Sequence, residues 1–454
     1  MSSSIKKQAV NGTIWTLVGY GGSQGLRFVG NLILTRLLVP ELFGLMALVT
    51  TFQLGLILFS DIGIRPSIIR SSRSTEADFL NTAWTLQAMR GCWIWLGCWL
   101  IAWPVSQFYG DSRLLWLIPL VGMNGWLSGF NSTAMATLLR DLKVAKLTIF
   151  EFVVQLISLT VMIVWAYFSP SIWALVAGNL VNGVLKTVGS HFLDPNHQDR
   201  FAWDKAAVKE ILSFGVWVFV ATAMMFLANQ ADRLILGKLF TLELLGIYVV
   251  AFTLADLPRQ IVQRLSRQII FPVISKYAQE LDRNSLRQKI LHKRWFLLMG
   301  LSLLVTGLVC FGDLLILALY DDRYRQAAWM LPVLALGLWP LILSITVDQA
   351  LYAIGNPKFT ALGNFLKFGY MLFLLPLSYS QFGILGAIII VAFNDLPFYI
   401  PISFGLWREK LSCIGQDLIA TLLLVGLITG VLFIRYSLGF GLPLDELQWN
   451  LAGL

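Results

Sequence analysis

The chain contains few charged residues for its length. Asp, Glu, Lys and Arg make up 13% of its 454 residues, whereas a typical soluble domain carries about 25%. Hydrophobic residues reach 57%, and the mean hydropathy is +0.73. This composition excludes an ordinary water-soluble domain and predicts that most of the chain folds in lipid.

Cysteine and histidine are also scarce, which limits the chemistry that the chain can perform. The four cysteines lie inside apolar runs, and the three histidines lie in or beside polar segments. They are Cys92, Cys98, Cys310 and Cys413, and His191, His197 and His292. Neither set has the spacing of a zinc site, a disulfide framework or a catalytic triad. The sequence therefore predicts no metal, no cofactor and no enzymatic activity.

Long apolar stretches dominate the chain instead. A membrane-spanning helix needs about 20 apolar residues, and we identify thirteen candidate stretches. Their approximate bounds are 13–38, 42–64, 82–105, 114–137, 148–168, 172–191, 211–232, 245–266, 295–318, 327–352, 359–380, 384–406 and 413–434. The chain is therefore predicted to be an all-α membrane protein with about 12–14 transmembrane helices.

The basic residues predict how these helices are oriented. With the N-terminus in the cytoplasm, 22 of the 34 Lys and Arg residues fall in cytoplasmic segments, seven lie outside and five lie at membrane depth. Cytoplasmic loops of membrane proteins are rich in Lys and Arg. The chain is therefore predicted to be a multi-pass protein with a cytoplasmic N-terminus, and its net charge of +9 needs no nucleic acid to explain it.

One internal repeat predicts how the chain is divided. Residues 31–44 (NLILTRLLVPELFG) and 233–246 (RLILGKLFTLELLG) are identical at seven of fourteen positions, including a shared Glu-x-x-Gly. Six predicted helices separate the copies, and an even number makes the repeat parallel. We expect two pseudo-symmetric six-helix halves at 1–210 and 211–406. A cytoplasmic amphipathic segment is expected at about 267–294, and an extra C-terminal helix and tail at 407–454.

Several segments resemble one family of membrane transporters. They are TRLLVPELFGLMALV (35–49), DIGIRPSIIR (61–70), DRLILGKLFTLELLGIYVVA (232–251), FPVISKYAQE (271–280), YRQAAWMLPVLALG (324–337) and ALYAIGNPKF (350–359). Together they resemble the Wzx-type polysaccharide and O-antigen flippases of the multidrug/oligosaccharidyl-lipid/polysaccharide (MOP) exporter superfamily. Members commonly have twelve or fourteen helices, so a chain that ends near a thirteenth departs from the family at its C-terminus.

The resemblance implies a fold, a substrate and a location. The fold would be that of the MOP exporters, and the cargo an undecaprenyl-pyrophosphate-linked oligosaccharide flipped across the bacterial inner membrane by alternating access. The product would serve surface polysaccharide, lipopolysaccharide or exopolysaccharide assembly. The implied partners are the lipid-linked oligosaccharide, membrane lipids, and polysaccharide polymerase and co-polymerase proteins.

Helix one carries a polar stripe at membrane depth. Tyr20, Gln24, Arg27 and Asn31 are spaced four, three and four residues apart, which places them on one helix face. A charge at the bilayer centre costs about 2.5–3.5 kcal/mol, so Arg27 needs a partner. We interpret the stripe as the lining of a substrate cavity in which Arg27 meets a pyrophosphate or a sugar. The alternative is a buried ion pair with Asp61.

Predicted helix eight shows a similar pattern in the second half. Asp256, Gln260, Gln263 and Arg267 repeat the same spacing, and Arg259 flanks them. Asp256 and Arg259 either pair with each other at i,i+3 or face the cavity. The sequence leaves both arrangements open.

These patterns define a candidate site. The predicted substrate-binding residues are Gln24, Arg27, Asn31, Arg90, Arg259 and Lys367. Arg90 and Lys367 are included because each lies within about two turns of a cytoplasmic helix end, where an anionic headgroup would enter. The acids with a predicted coupling or ion-pair role are Asp61, Asp256 and Asp348. Coupling to a proton or sodium gradient is a hypothesis that fails if transport in proteoliposomes ignores an imposed gradient.

Three other functions fit parts of the pattern. A drug or cation exporter, or another lipid exporter, of the same superfamily would share the helices, but a cavity for cations should be lined by acids alone. A membrane enzyme such as a polymerase or ligase would need a large outer loop with catalytic residues, and the predicted outer loops are short. A membrane component of a polysaccharide synthase complex would not need polar stripes at membrane depth.

We predict that Arg27→Ala abolishes surface polysaccharide export, because the substitution removes the cation from the middle of the polar stripe. Export is measured in cells that carry the variant, and the amount of variant protein in the membrane fraction is the control. Normal export by a normally inserted variant would remove Arg27 from the site.

Overall fold

Helices form the regular structure of the chain in the computed structural model, which describes residues 3–71, 73, 76–141, 143–194, 198–266, 270–443 and 445. These residues form nineteen α-helices and no strand. The helices are α1 (Ser3–Leu37), α2 (Pro40–Phe59), α3 (Ile64–Arg70), α4 (Ala77–Tyr109), α5 (Leu114–Gly129), α6 (Ala134–Arg140), α7 (Val144–Phe168), α8 (Ile172–Ser190), α9 (Lys205–Leu239), α10 (Leu242–Ala255), α11 (Leu257–Leu265), α12 (Phe271–Glu280), α13 (Arg283–Leu319), α14 (Ala327–Gly337), α15 (Trp339–Ile345), α16 (Asp348–Ala353), α17 (Lys358–Ala392), α18 (Leu396–Arg408) and α19 (Ile414–Ser437).

The helices bear out the predicted all-α membrane fold. Each of the thirteen predicted spans falls on one helix or on consecutive helices. Within the described residues, seven stretches are long and apolar enough to cross a membrane, and the bent pair α10 and α11 makes an eighth. One of the seven, Lys358–Arg408, runs over 51 residues. It covers two predicted spans, and a kink within α17 separates them. The kink lies at Gly383, which adopts a positive φ of 59° that glycine tolerates.

Several apolar spans are broken into segments, and proline marks three of the breaks. The chain bends by 43° between α10 and α11. Pro258, Pro340 and Pro397 each stand at the first or second position of the segment that follows a break, in α11, α15 and α18. Proline has no N–H and its ring clashes with the carbonyl one turn earlier. Main-chain carbonyls are therefore left without helical partners at these depths, where lipid cannot supply any.

The chain divides into two compact units, Met1–Phe226 (unit 1) and Leu227–Leu454 (unit 2). This boundary lies inside α9, later than the predicted one at 210/211. The predicted C-terminal part 407–454 contains α19, which packs along α13 within unit 2.

The start of α9 belongs to unit 1 because it is fastened to α4. Arg73 Nη2 lies 2.8 Å from Asp204 Oδ2, and the Asp204 N–H donates to Thr82 Oγ1 at 3.0 Å. The hydrogen bond from Arg73 holds the pKa of the Asp204 carboxyl below its usual range. Ala207 and Ile211 are buried in an apolar cluster with residues of α3 and α4. These polar and apolar contacts hold the first turns of α9 against unit 1.

The repeated Glu-x-x-Gly begins a helix in each unit. Glu41 lies in the first turn of α2 and Glu243 in the first turn of α10, where a carboxylate favours the positive end of the helix dipole. The glycines three residues later, Gly44 and Gly246, are both buried. The repeat therefore marks a charged helix start followed by a close-packed turn.

Glycines allow α4 and α5 to touch through their main chains. A Cβ added to Gly91 would lie 2.8 Å from the Cα of Gly129 and 3.0 Å from the carbonyl oxygen of Trp126. Neither atom can move aside as a side chain can. Small residues at such crossings let membrane helices approach closely.

We predict that Gly91→Ala lowers the melting temperature of the detergent-purified protein. The added methyl group must push α4 away from α5, and overpacking of this kind costs about 1–3 kcal/mol. Thermal unfolding followed by a dye or by size-exclusion chromatography measures the effect.

Gly300→Ala in α13 is the matched control. A Cβ at Gly300 meets nothing within 4 Å, and alanine is about 1 kcal/mol better than glycine in a helix. We expect its melting temperature to be unchanged or raised. Equal loss of stability in both variants would contradict the close contact between α4 and α5.

Candidate functional site

A polar pocket of about 220 Å³ lies in unit 1, lined by residues of α3, α4, α5, α6 and α8. Three cations line it, Arg65, Arg90 and Lys186, and no carboxylate is among the described residues of its lining. The amide of Gln87 donates to the carbonyl oxygen of Asn131 at 2.9 Å and so closes one wall. The pocket is therefore positive and offers hydrogen bonds from side chains and main chain.

Arg90 is fixed at the C-terminal end of α2. Its Nη2 donates to the Ile57 carbonyl at 2.6 Å, and its Nε donates to the Ser60 carbonyl at 2.7 Å. These are carbonyls that the end of a helix leaves unpaired, and a cation there is favoured by the helix dipole. Asp61 adds a favourable electrostatic interaction with the guanidinium. Arg90, predicted from the sequence as a cavity residue, thus contributes charge to the pocket from a fixed position.

The other two cations of the pocket are held more loosely. Lys186 Nζ lies 3.9 Å from Glu151 Oε1, and both side chains are partly exposed. An exposed pair of this kind contributes at most about 1 kcal/mol. Arg65 is exposed at the start of α3. Both side chains can therefore reorient toward an anion.

The polar stripe predicted on helix one lies on the exposed part of α1. Arg27 is exposed, and Gln24 and Asn31 are partly exposed; the side chain of Tyr20 lies outside the described residues. Among the described contacts, Arg27 and Asp61 do not form an ion pair with each other. Asp61 accepts a hydrogen bond from the Gly63 N–H at 3.0 Å instead.

Unit 2 gathers four of its intramembrane charges, Asp256, Arg259, Lys367 and Asp395, into one buried cluster. Asp395 is at its centre, with Oδ1 2.6 Å from Lys367 Nζ and Oδ2 3.0 Å from Arg259 Nη2. Arg259 Nε also lies 2.8 Å from Asp256 Oδ1. Asp395 and Lys367 are 1% and 2% exposed, so their charges are neutralised by each other and not by water. Of the two arrangements that the sequence left open, Asp256 and Arg259 adopt the pair.

The charge cluster joins two of the helix breaks. Asp256 is the residue between α10 and α11, and Asp395 is the residue before α18. Arg259 spans from the first break to the second, and Lys367 reaches the second from α17. In a neighbouring buried pair the Tyr248 hydroxyl donates to Asp232 at 2.5 Å, and the Asp232 carboxylate interacts electrostatically with Arg259.

Asp348, a predicted coupling acid, is buried at the start of α16. Its Oδ1 accepts a hydrogen bond from the Gln349 side chain at 3.0 Å. The structure therefore distributes the three predicted acids over three environments: Asp61 beside Arg90, Asp256 in the charge cluster, and Asp348 in α16. Among the described residues, no group of three or more His, Cys, Asp or Glu side chains is placed to hold a metal ion.

Two further buried pairs were missed by the sequence reasoning. Arg294 Nη2 lies 2.6 Å from Asp417 Oδ1, and Arg435 Nη2 lies 2.5 Å from Asp313 Oδ2. Both pairs join α13 to α19. The sequence signal was present, since Asp313 and Asp417 are acids within predicted spans. Their partners could not be chosen, because Arg294 and Arg435 read as ordinary loop cations.

Comparison with known proteins places these features in a family. A sequence model of the family described as "Polysaccharide biosynthesis protein" matches residues 33–329. The succinoglycan biosynthesis transport protein ExoT of Rhizobium meliloti is 20% identical over 74% of this chain and 68% of its own length. The lipopolysaccharide biosynthesis protein WzxC of Escherichia coli is 21% identical over 78% of this chain and 69% of its own length.

Two solved structures show the fold. A multidrug resistance MATE family transporter of the MOP superfamily, in an inward-facing conformation, superposes with a TM-score of 0.67 at 13% identity, over 85% of this chain and 94% of that one. The lipid II flippase MurJ, in an inward closed conformation, superposes with a TM-score of 0.64 at 12% identity, over 98% and 96%. The predicted MOP-exporter fold and the resemblance to Wzx-type flippases are both confirmed. With a family match over well over half of its residues, this multi-pass membrane protein belongs to the polysaccharide biosynthesis protein family.

Proposed function

We propose that this chain flips an undecaprenyl-pyrophosphate-linked oligosaccharide across the bacterial inner membrane, for surface or exopolysaccharide assembly, by alternating access. The observation that carries the proposal is the polar pocket of unit 1. Its described lining residues include three cations and no carboxylate. Curated relatives named for succinoglycan transport and lipopolysaccharide biosynthesis support the saccharide part of the cargo.

The pocket suits a pyrophosphate in both charge and geometry. Arginine presents a planar fork of donors that matches phosphate oxygens, and lysine adds a mobile point charge. Arg90 supplies a fixed positive field, while Arg65 and Lys186 are free to close on the anion. With the N-terminus in the cytoplasm, the loops after α2 and α8 lie at the cytoplasmic face, so the pocket would receive the headgroup on the side where it is made.

The exposed stripe of α1 is proposed as a second set of contacts for the cargo. Gln24, Arg27 and Asn31 offer a cation and two amides along one helix face, which fits a headgroup of phosphate and sugar. A drug or cation exporter is disfavoured by the same features, because a pocket lined by cations repels positively charged cargo.

Arg259 and Lys367 are proposed to act through the fold more than through direct contact with cargo. Both pair with Asp395 at 3.0 Å or less, and releasing either would remove one of the two partners of this buried carboxylate. Their role would be to hold the two helix breaks together while the units move.

We predict that Arg65→Gln with Lys186→Gln reduces flipping by about 10- to 100-fold, since a hydrogen bond to a charged group contributes about 1.5–3 kcal/mol. The purified protein is reconstituted into proteoliposomes with a fluorescent undecaprenyl-pyrophosphate-linked saccharide, and its accessibility in the opposite leaflet is measured.

Lys146→Gln is the control for this test. Lys146 is exposed in the first turn of α7 and does not line the pocket. Its loss should therefore leave flipping unchanged. Full activity in the double variant would remove the pocket from the transport route. If the double variant loses as much activity with an uncharged lipid-linked sugar, the cations do not bind the pyrophosphate.

We predict that Asp395→Asn destabilises the protein by about 3–5 kcal/mol, because it leaves buried cations without their shared carboxylate. Lys367→Met added to Asp395→Asn should restore much of the loss, since Arg259 keeps Asp256. Melting temperatures of the original protein, the two single variants Asp395→Asn and Lys367→Met, and the double variant form a double-mutant cycle. A stable double variant that flips normally fits the structural role, whereas a stable double variant without activity would make Lys367 a cargo contact.

A further inference from the structure

An apolar cavity with a basic rim lies in unit 2, apart from the charge cluster. Its volume is about 260 Å³, and α11, α12 and α13 supply most of its lining. Ile270, Ile274, Ile290 and Leu297 form the apolar part, and Lys289 and Lys293 form the rim. Ile274 and Ile290 also belong to the apolar cluster that holds α12 against α13, so the walls are fixed by the fold.

The rim is organised around one aromatic ring. Lys289 Nζ lies 4.4 Å and Lys293 Nζ 5.0 Å from the ring centroid of Tyr277. Lys293 Nζ also donates to the Tyr277 hydroxyl at 3.2 Å. A ring face attracts a cation by about 0.5–1 kcal/mol at an exposed site. Tyr277 therefore holds two ammonium groups one helical turn apart at the mouth of the cavity.

The described residues that line the cavity include no carboxylate for these ammonium groups. Residues 265–279 and 283–312 contain neither Asp nor Glu. Arg294, the next cation along α13, is different, because Asp417 neutralises it at 2.6 Å. The basic rim therefore keeps a net positive charge beside an apolar cavity.

The position of the rim along α13 matches the edge of a membrane. The polar start of α13 ends at Arg294, and the apolar run of the predicted span begins with Trp295 and Phe296. Phe296 is 70% exposed, as expected of an aromatic side chain at the boundary between lipid and water. Lys289 and Lys293 thus lie at the depth of lipid headgroups, with the cavity beside them.

We propose that this cavity binds an anionic phospholipid of the surrounding membrane, with its phosphate between Lys289 and Lys293 and part of an acyl chain against the isoleucines. Charge complementarity selects the lipid, since a net positive rim favours an anionic headgroup over a zwitterionic one. The apolar lining distinguishes a lipid from free phosphate, which would leave the cavity walls without a partner. The site is independent of the cargo pocket in unit 1.

Native mass spectrometry of the full-length protein tests the proposal. The protein in detergent is incubated with equal amounts of phosphatidylglycerol and phosphatidylcholine, and the retained lipids are counted. We expect phosphatidylglycerol to be retained preferentially. Lys289→Gln with Lys293→Gln should weaken its retention by about 30-fold, because each of the two basic residues near the lipid surface contributes about 1 kcal/mol. Both lysines are exposed, so the double variant should fold normally.

Lys205→Gln with Lys209→Gln is the matched control. These lysines are also exposed and one turn apart, at the start of α9, and their loss should leave lipid retention unchanged. Equal retention of phosphatidylglycerol by the Lys289 and Lys293 variant and by the original protein would overturn the proposal. So would displacement of the lipid by inorganic phosphate at millimolar concentration, since that would make the site one for phosphate alone.

Discussion

A charge inside the membrane needs a partner inside the protein, and Asp395 is where that constraint is met most fully. One carboxylate receives Lys367 from α17 and Arg259 from α11, at a point where two spans are interrupted. The interruption and the charges depend on each other. A proline-marked break removes helical hydrogen bonds at a depth without water, and the ion pairs supply directed contacts there. Unpaired, each of these groups would be among the most costly that a membrane protein can bury.

The two units use their cations differently. In unit 2 the buried cations are neutralised at short distance, by Asp395, Asp417 and Asp313. In unit 1, among the described residues, Arg90 donates to main-chain carbonyls and has Asp61 nearby without an ion pair between them, and Lys186 has only a distant and exposed carboxylate. A carbonyl dipole holds a guanidinium without cancelling its charge. Unit 1 therefore retains a positive field around its pocket, whereas the buried charges of unit 2 stabilise the packing of its own helices.

Much of the fold follows from the sequence, because the length and composition of apolar runs and the helical spacing of polar residues are local signals. Apolar runs placed every predicted span on a helix, and the Glu-x-x-Gly repeat located a helix start in each unit. The division between the two compact units falls inside α9, later than the expected 210/211, and nothing local reveals that Asp204 pairs with Arg73 across 131 residues. Local signals likewise identify each charged residue at membrane depth, but they do not identify the residue with which it pairs. Which acid meets which base depends on helix packing, so the link from Lys367 to Asp395 and the link from Arg294 to Asp417 could not be read from spacing.

The contact between Gly91 and Gly129 has a consequence for how such a transporter can change its specificity. These glycines form part of the pocket wall, and there the outline of the pocket is set by main chain. Side chains such as Gln87 and Ser128 supply polar atoms around that fixed outline. Substitutions among them would alter the hydrogen bonds that the pocket offers without moving this main-chain outline. Under the proposed function, one saccharide would be exchanged for another through such side-chain substitutions, while the main chain around the proposed phosphate position keeps its outline.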